Sequence, residues 1–93
     1  MATTTQTLRK DPQANLDYGF DWSDYLVIGE TLSDSVWTVP SGLIEGSKQL
    51  AADSTKIWIS GGTVGETYTI ANKITTSAGR VDERSFDIVV ENR

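Results

Sequence analysis

The chain has 93 residues, which is one domain's worth. Thirteen acidic residues stand against eight basic ones, a net charge of −5, and there is no Cys and no His. These counts exclude a Ser-His-Asp triad, a thiol nucleophile, a zinc finger, the usual haem or iron–sulfur ligation and any disulfide framework. The acidic balance speaks against nucleic acid, because a protein that neutralises phosphates needs a basic face.

Residues 1–7 read as a small polar arm ahead of a domain at 8–93. The start of the chain has neither a basic n-region nor an apolar h-region, and its longest unbroken apolar run is Leu26-Val27-Ile28. That predicts no membrane span and synthesis in the cytoplasm. A first short strand at Thr7–Lys10 runs into a turn at Asp11-Pro12. Leu16, Tyr18, Phe20 and Trp22 then alternate with Asp17, Gly19 and Asp21, the period-2 pattern of a strand with an aromatic inner face. Ser23 to Leu26 reads as one helical turn with Ser23 as N-cap, and Val27-Ile28 leads to a turn at Gly29-Glu30.

Residues 31–39 are expected to be extended, closed by Pro40 and Gly42. Leu43 to Asp53 is looser, with room for a short strand near Leu50. Lys56 to Ser60 is a strand ended by Gly61-Gly62. Gly65 to Thr75 is the longest strand, with Tyr68, Ile70, Asn72 and Ile74 on its inner face. A turn at Thr76–Gly79 leads to a last strand over 80–91, where Arg84 shares the face of Phe86, Ile88 and Val90. Twelve Thr, seven Val, seven Ile and eight aromatic residues suit strands. Together these features predict an all-β fold: a single antiparallel β-sandwich, immunoglobulin-like or fibronectin-III-like, of six to seven strands.

The constellations that could carry chemistry are few. Asp17, Asp21 and Asp24 fall within eight residues, so a calcium site is conceivable, but the spacing is not that of an EF-hand loop. The reading preferred for them is a solvated acidic face. No cofactor is expected, and without His or a Gly-rich phosphate cradle neither is an enzyme. Trp22, Trp37 and Trp58 are large anchors; Trp37 and Trp58 are assigned to structure. Trp22, at a strand end beside an irregular turn, is the one suspected of meeting a partner. The stretch from Gly62 to Ile70 resembles the turn into the penultimate strand of fibronectin type III domains. That resemblance implies a structural tyrosine corner at Tyr68. Arg84 is expected to cover the core edge with its stem while its guanidinium reaches a carboxylate or solvent.

Several segments carry a wider resemblance. They include Leu16-Asp17-Tyr18 with Phe20-Asp21-Trp22-Ser23, Ile57-Trp58-Ile59-Ser60-Gly61-Gly62-Thr63, and Thr67 to Asn72. Ser77-Ala78-Gly79-Arg80 with Asp82 and Arg84-Ser85-Phe86 completes the set. From about Lys10 to Val90 the chain resembles the small fibre–tail adaptor proteins of tailed bacteriophages and prophages. The resemblance implies an immunoglobulin-like virion protein of the tail or neck that joins a tail or neck protein to a tail fibre. It implies other virion proteins as partners and several copies set by the symmetry of the tail. The arm residues Thr3, Thr4, Thr5, Gln6 and Thr7 are candidates for ordering on assembly. Two other readings stay open: a capsid decoration or cement protein, and a carbohydrate-binding attachment module, which needs an exposed pair of flat aromatics.

Overall fold

The computed structural model describes residues 6–92, with Gln6 described by its place in a strand alone. Seven strands follow in chain order: β1 (Gln6–Lys10), β2 (Leu16–Asp21), β3 (Leu32–Thr38), β4 (Leu43–Leu50), β5 (Ser54–Gly61), β6 (Thr67–Thr76) and β7 (Val81–Val90). They form two sheets, ordered β1-β7-β6-β3 and β2-β5-β4. Strands two to seven take the order of the B to G strands of an immunoglobulin constant domain. The pairing is antiparallel with one exception: β1 runs parallel to β7, Leu8 opposite Ile88 and Lys10 opposite Val90. The antiparallel β-sandwich of six to seven strands expected from the sequence is thus found, with this parallel pair as its one exception among the described residues. The cause is that β1 joins the sheet opposite β2, so no hairpin connects them.

Period-2 alternation builds the core. Ile57 and Ile59 of β5, Ile70 and Ile74 of β6, and Phe86, Ile88 and Val90 of β7 point inward and are buried. Trp37 and Leu43 complete the main cluster, with Tyr18, Phe20 and Tyr68 packed at its margin. Phe20 stacks on Trp37 at 6.0 Å and Tyr18 on Phe86 at 5.3 Å, the offset geometry that aromatic quadrupoles favour. A smaller second cluster, Trp22, Leu32 and Ile74, lies at the end of the sandwich beneath Tyr25 and Leu26.

Four expectations from the sequence change. Gln6, assigned to the arm, belongs to β1, which also takes in the strand expected over Thr7–Lys10. The looser stretch from Leu43 is a full eight-residue strand, bulged between Glu45 and Lys48. As an edge strand with one neighbour it buries only Leu43, so it shows no alternation. The turn after β2 is closed by Tyr25 and Leu26 donating to the Trp22 carbonyl, and Asp21 Oδ1, not Ser23, accepts at its start, from the Ser23 amide at 2.9 Å. Trp58 faces outward from β5, half-buried between the buried Ile57 and Ile59. No helix among the described residues is long and apolar enough to cross a membrane.

Candidate docking surfaces

Ten-residue strands span roughly 33 Å, so the 43 Å long axis of the molecule runs along them. Each end of that axis gathers three connections. One end holds residues 22–31, 51–53 and 77–80; the other holds 11–15, 39–42 and 62–66.

At the first end the three loops are bonded into one block. The Trp22 amide donates to the Asp53 carbonyl (2.8 Å), Leu32 to Ala52 (2.8 Å) and Ser77 to Thr31 (2.7 Å). Thr31 returns a bond to Ser77 Oγ (3.1 Å). Below them Asn72, wholly buried on β6, satisfies four partners. Its Oδ1 accepts from Trp22 Nε1 (3.2 Å) and Thr55 Oγ1 (2.7 Å), and its Nδ2 donates to Ser35 Oγ (2.8 Å) and the Val36 carbonyl (3.3 Å). Both sheets and the β2–β3 loop meet at this one side chain. Arg84 lies flat over Trp22, 4.2 Å from the ring centroid, and donates to the Asp21 carbonyl at 3.2 Å.

The β2–β3 loop carries its own lock. Glu30 is buried, its side chain 2% exposed. Its carboxylate accepts Arg80 Nε at 2.9 Å, Arg80 Nη2, and the Val27 amide at 3.1 Å. Hydrogen bonds from Arg80, then from Thr76, then from Val27, outweigh desolvation and hold this carboxyl down to about 2. The guanidinium also donates to the Tyr25 carbonyl (3.2 Å) and sits 4.4 Å from the Tyr25 ring centroid. Glu30 N donates to the Val27 carbonyl at 3.0 Å, closing a β-turn. Gly29 stands third in it with φ 85°, the type II geometry that only a residue free of Cβ adopts at low cost. Ile28, second in the turn, is at 104% relative exposure, and Val27 is exposed beside it.

The opposite end is held differently. The Tyr68 hydroxyl accepts the Thr63 amide at 3.1 Å, the geometry of a tyrosine corner. Lys10 is buried on β1, and its ammonium donates to the carbonyls of Gly61 (2.7 Å) and Asp11 (2.9 Å). Burial lowers its pKa, against the pull of Asp11. Asp11 Oδ1 accepts the Gln13 amide at 2.7 Å, and Glu91 N donates to the Lys10 carbonyl at 2.9 Å.

The residues singled out in the sequence separate. Asp17 pairs with Lys56 at 3.7 Å, Asp21 caps its turn, and Asp24 lies 3.7 Å from Arg84. Hydrogen bonds from Ser23 lower the Asp21 pKa. The three carboxylates thus turn to three different groups, and no cluster with metal-ligand composition forms among the described residues. Trp22, suspected of meeting a partner, is instead fully buried beneath Arg84 and Tyr25, so it offers no surface. Thr3, Thr4 and Thr5 lie outside the described residues; Thr7 sits exposed on β1. Trp37 is buried, and each of the eight aromatic residues is buried or half-buried. The flat aromatic platform that a sugar-binding module needs has no counterpart here. The sequence reading missed Glu30, Arg80 and Ile28; the ion pair joins residues 50 positions apart, so no local pattern announces it.

No curated protein matches the chain. A family model described as podophage GP4 fiber-tail adaptor protein gp77 matches residues 10–89. That match spans both sheets and all six loops. The chain therefore belongs to the podophage fibre–tail adaptor family: it is a non-enzymatic structural protein of the phage tail that links a tail protein to a fibre.

Proposed function

We propose that this adaptor works as a rigid spacer that contacts its two partners through the two opposite loop ends, one partner at each. The observation that carries the reading is the bonded block of 22–31, 51–53 and 77–80, which presents a fixed surface with its ordering cost already met in the free chain. The lateral edges are poorer docking sites. β3 and β4, which border one open side, both carry irregularities, between Leu32 and Asp34 and between Glu45 and Lys48, and bulges discourage strand addition.

The absence of cysteine makes the test direct, because one introduced thiol is unique. Ala78→Cys and Val64→Cys place it at an exposed position of either end. Each variant, carrying a short photocrosslinker, is assembled into particles and irradiated. The spacer reading expects a tail protein crosslinked from one position and a fibre protein from the other. The same single partner captured from both positions, or neither partner from either, would overturn it.

A further inference from the structure

We infer that the Val27–Ile28 turn is a plug that seats in an apolar pocket of a partner virion protein, and that this pocket is rimmed by Lys or Arg. The inference rests on the two-ended reading above and names the chemistry of one of the two contacts.

The shape comes first. Ile28 is exposed to the full extent of its surface, and Val27 beside it is 62% exposed. Adjacent β-branched side chains at the apex of a tight turn form a convex feature, so they fit a concave site. An isolated exposed apolar residue needs no explanation. This one differs because its backbone is held. Gly29 sets the turn, the Val27 amide is fixed to Glu30, and Glu30 is fixed to Arg80 on a different loop. The buried Glu30 carboxylate, tied to the half-exposed Arg80, keeps the backbone beneath the exposed isoleucine in one place, which lowers the entropy lost on binding.

Charge then selects the occupant. Residues 20–33, 49–55 and 75–82, the loops of this end with two residues of each adjoining strand, hold five carboxylates and one guanidinium. The difference, −4, is most of the chain's net charge of −5. Arg80 is engaged at home by Glu30 and Tyr25, and Arg84, deeper in β7, by Trp22, Asp21 and, at 3.7 Å, Asp24. Asp24 and Asp53 stand exposed near the tip. The surface is thus an apolar point inside an acidic collar, complementary to an apolar pocket with a basic rim. The collar disfavours an anionic bilayer. A second copy of the chain fits poorly as well: the groove lined by Phe20, Leu50 and Lys56 is bordered by Asp21 and Asp53, the wrong sign.

The test uses the full chain and particles purified from a phage that lacks this protein. Wild type, Ile28→Asp, the pair Asp24→Lys with Asp53→Lys, and Val64→Asp at the far end are bound to these particles and to isolated fibre protein. Ile28→Asp should weaken binding to one of the two probes by at least about tenfold, as loss of a central apolar anchor does. Its thermal unfolding should match wild type, since the side chain is wholly exposed. The double lysine variant should weaken the same contact and flatten its salt dependence. Val64→Asp should leave that contact unchanged. Wild type that binds neither probe would sink the adaptor geometry and the plug together. Wild type and Ile28→Asp binding both probes equally would sink the plug alone. Ile28-dependent binding to phosphatidylglycerol vesicles, or Ile28-dependent dimerisation in sedimentation, would assign the tip to a membrane or a second copy and overturn the protein pocket.

Discussion

The two ends of the sandwich reach rigidity by different chemistry. The Ile28 end is held by ionised and polar side chains: Glu30 with Arg80, Arg84 over Trp22, and Asn72 joining both sheets. The Tyr68 end is held by side chains bonded to main-chain groups: the Tyr68 hydroxyl accepts one amide and the Lys10 ammonium donates to two carbonyls. The difference follows from what each end must carry. An end that leaves isoleucine in water gains no burial energy from it, so its loop must be ordered by something else. Buried polar networks supply that order only when every member is satisfied, and here Asn72 uses all its bonding capacity.

Variants at the shared polar centre should break the comparison most severely. Asn72→Ala leaves Trp22 Nε1 and Thr55 Oγ1 buried without their partner. At about 1–3 kcal/mol for each orphaned group, the domain should lose about 2–5 kcal/mol, read by urea denaturation. Gly19→Ala comes next. A Cβ there would stand 2.2 Å from the Thr55 carbonyl oxygen, a backbone atom that cannot swing aside. Overpacking of this kind costs about 1–3 kcal/mol, and it should displace β2 and the loop it feeds. Tyr68→Phe removes the acceptor of the Thr63 amide at the other end, for about 0.5–1.5 kcal/mol. Hydrogen exchange should then quicken over 62–66 while 22–31 stays protected.

The smallest expected effect sharpens the comparison by pH. The Glu30 carboxyl is held from its ordinary 4.5 down to about 2 in the folded chain. A lowered carboxyl pKa contributes stability that is complete above about 4.5 and is lost as the pH falls towards 2. Acid should therefore free the Val27 amide first, a local opening read by exchange in NMR. The Thr63 amide, held by a neutral hydroxyl, should not follow that titration. Simultaneous loss at both ends would mean that the ends are not separately held.

The strands with buried faces were legible in the sequence because alternation and burial share one cause. Ile57 and Ile59, or Ile70, Asn72 and Ile74, announce both the strand and its inner side. The strand β4 was not legible as a whole, since an edge strand with a bulge and one buried residue has no face to advertise. Trp22 misled because a strand-end position does not report what covers it; Arg84, 62 residues on, does. Ile28 was unreadable for the converse reason: a sequence does not distinguish an apolar residue for the core from one left in water. Asn72 was placed correctly on the inner face, and the consequence that a buried amide demands partners was available there. Which partners those were depended on the meeting of β2, β3, β5 and β6.

The most direct measurement is cryo-electron microscopy of the tail with its fibres attached, at a resolution that shows side chains. The account predicts the sandwich set with its long axis between two different proteins, and Ile28 seated among apolar side chains with Lys or Arg at the rim. A sandwich attached by a sheet edge, with Ile28 facing solvent, would contradict it.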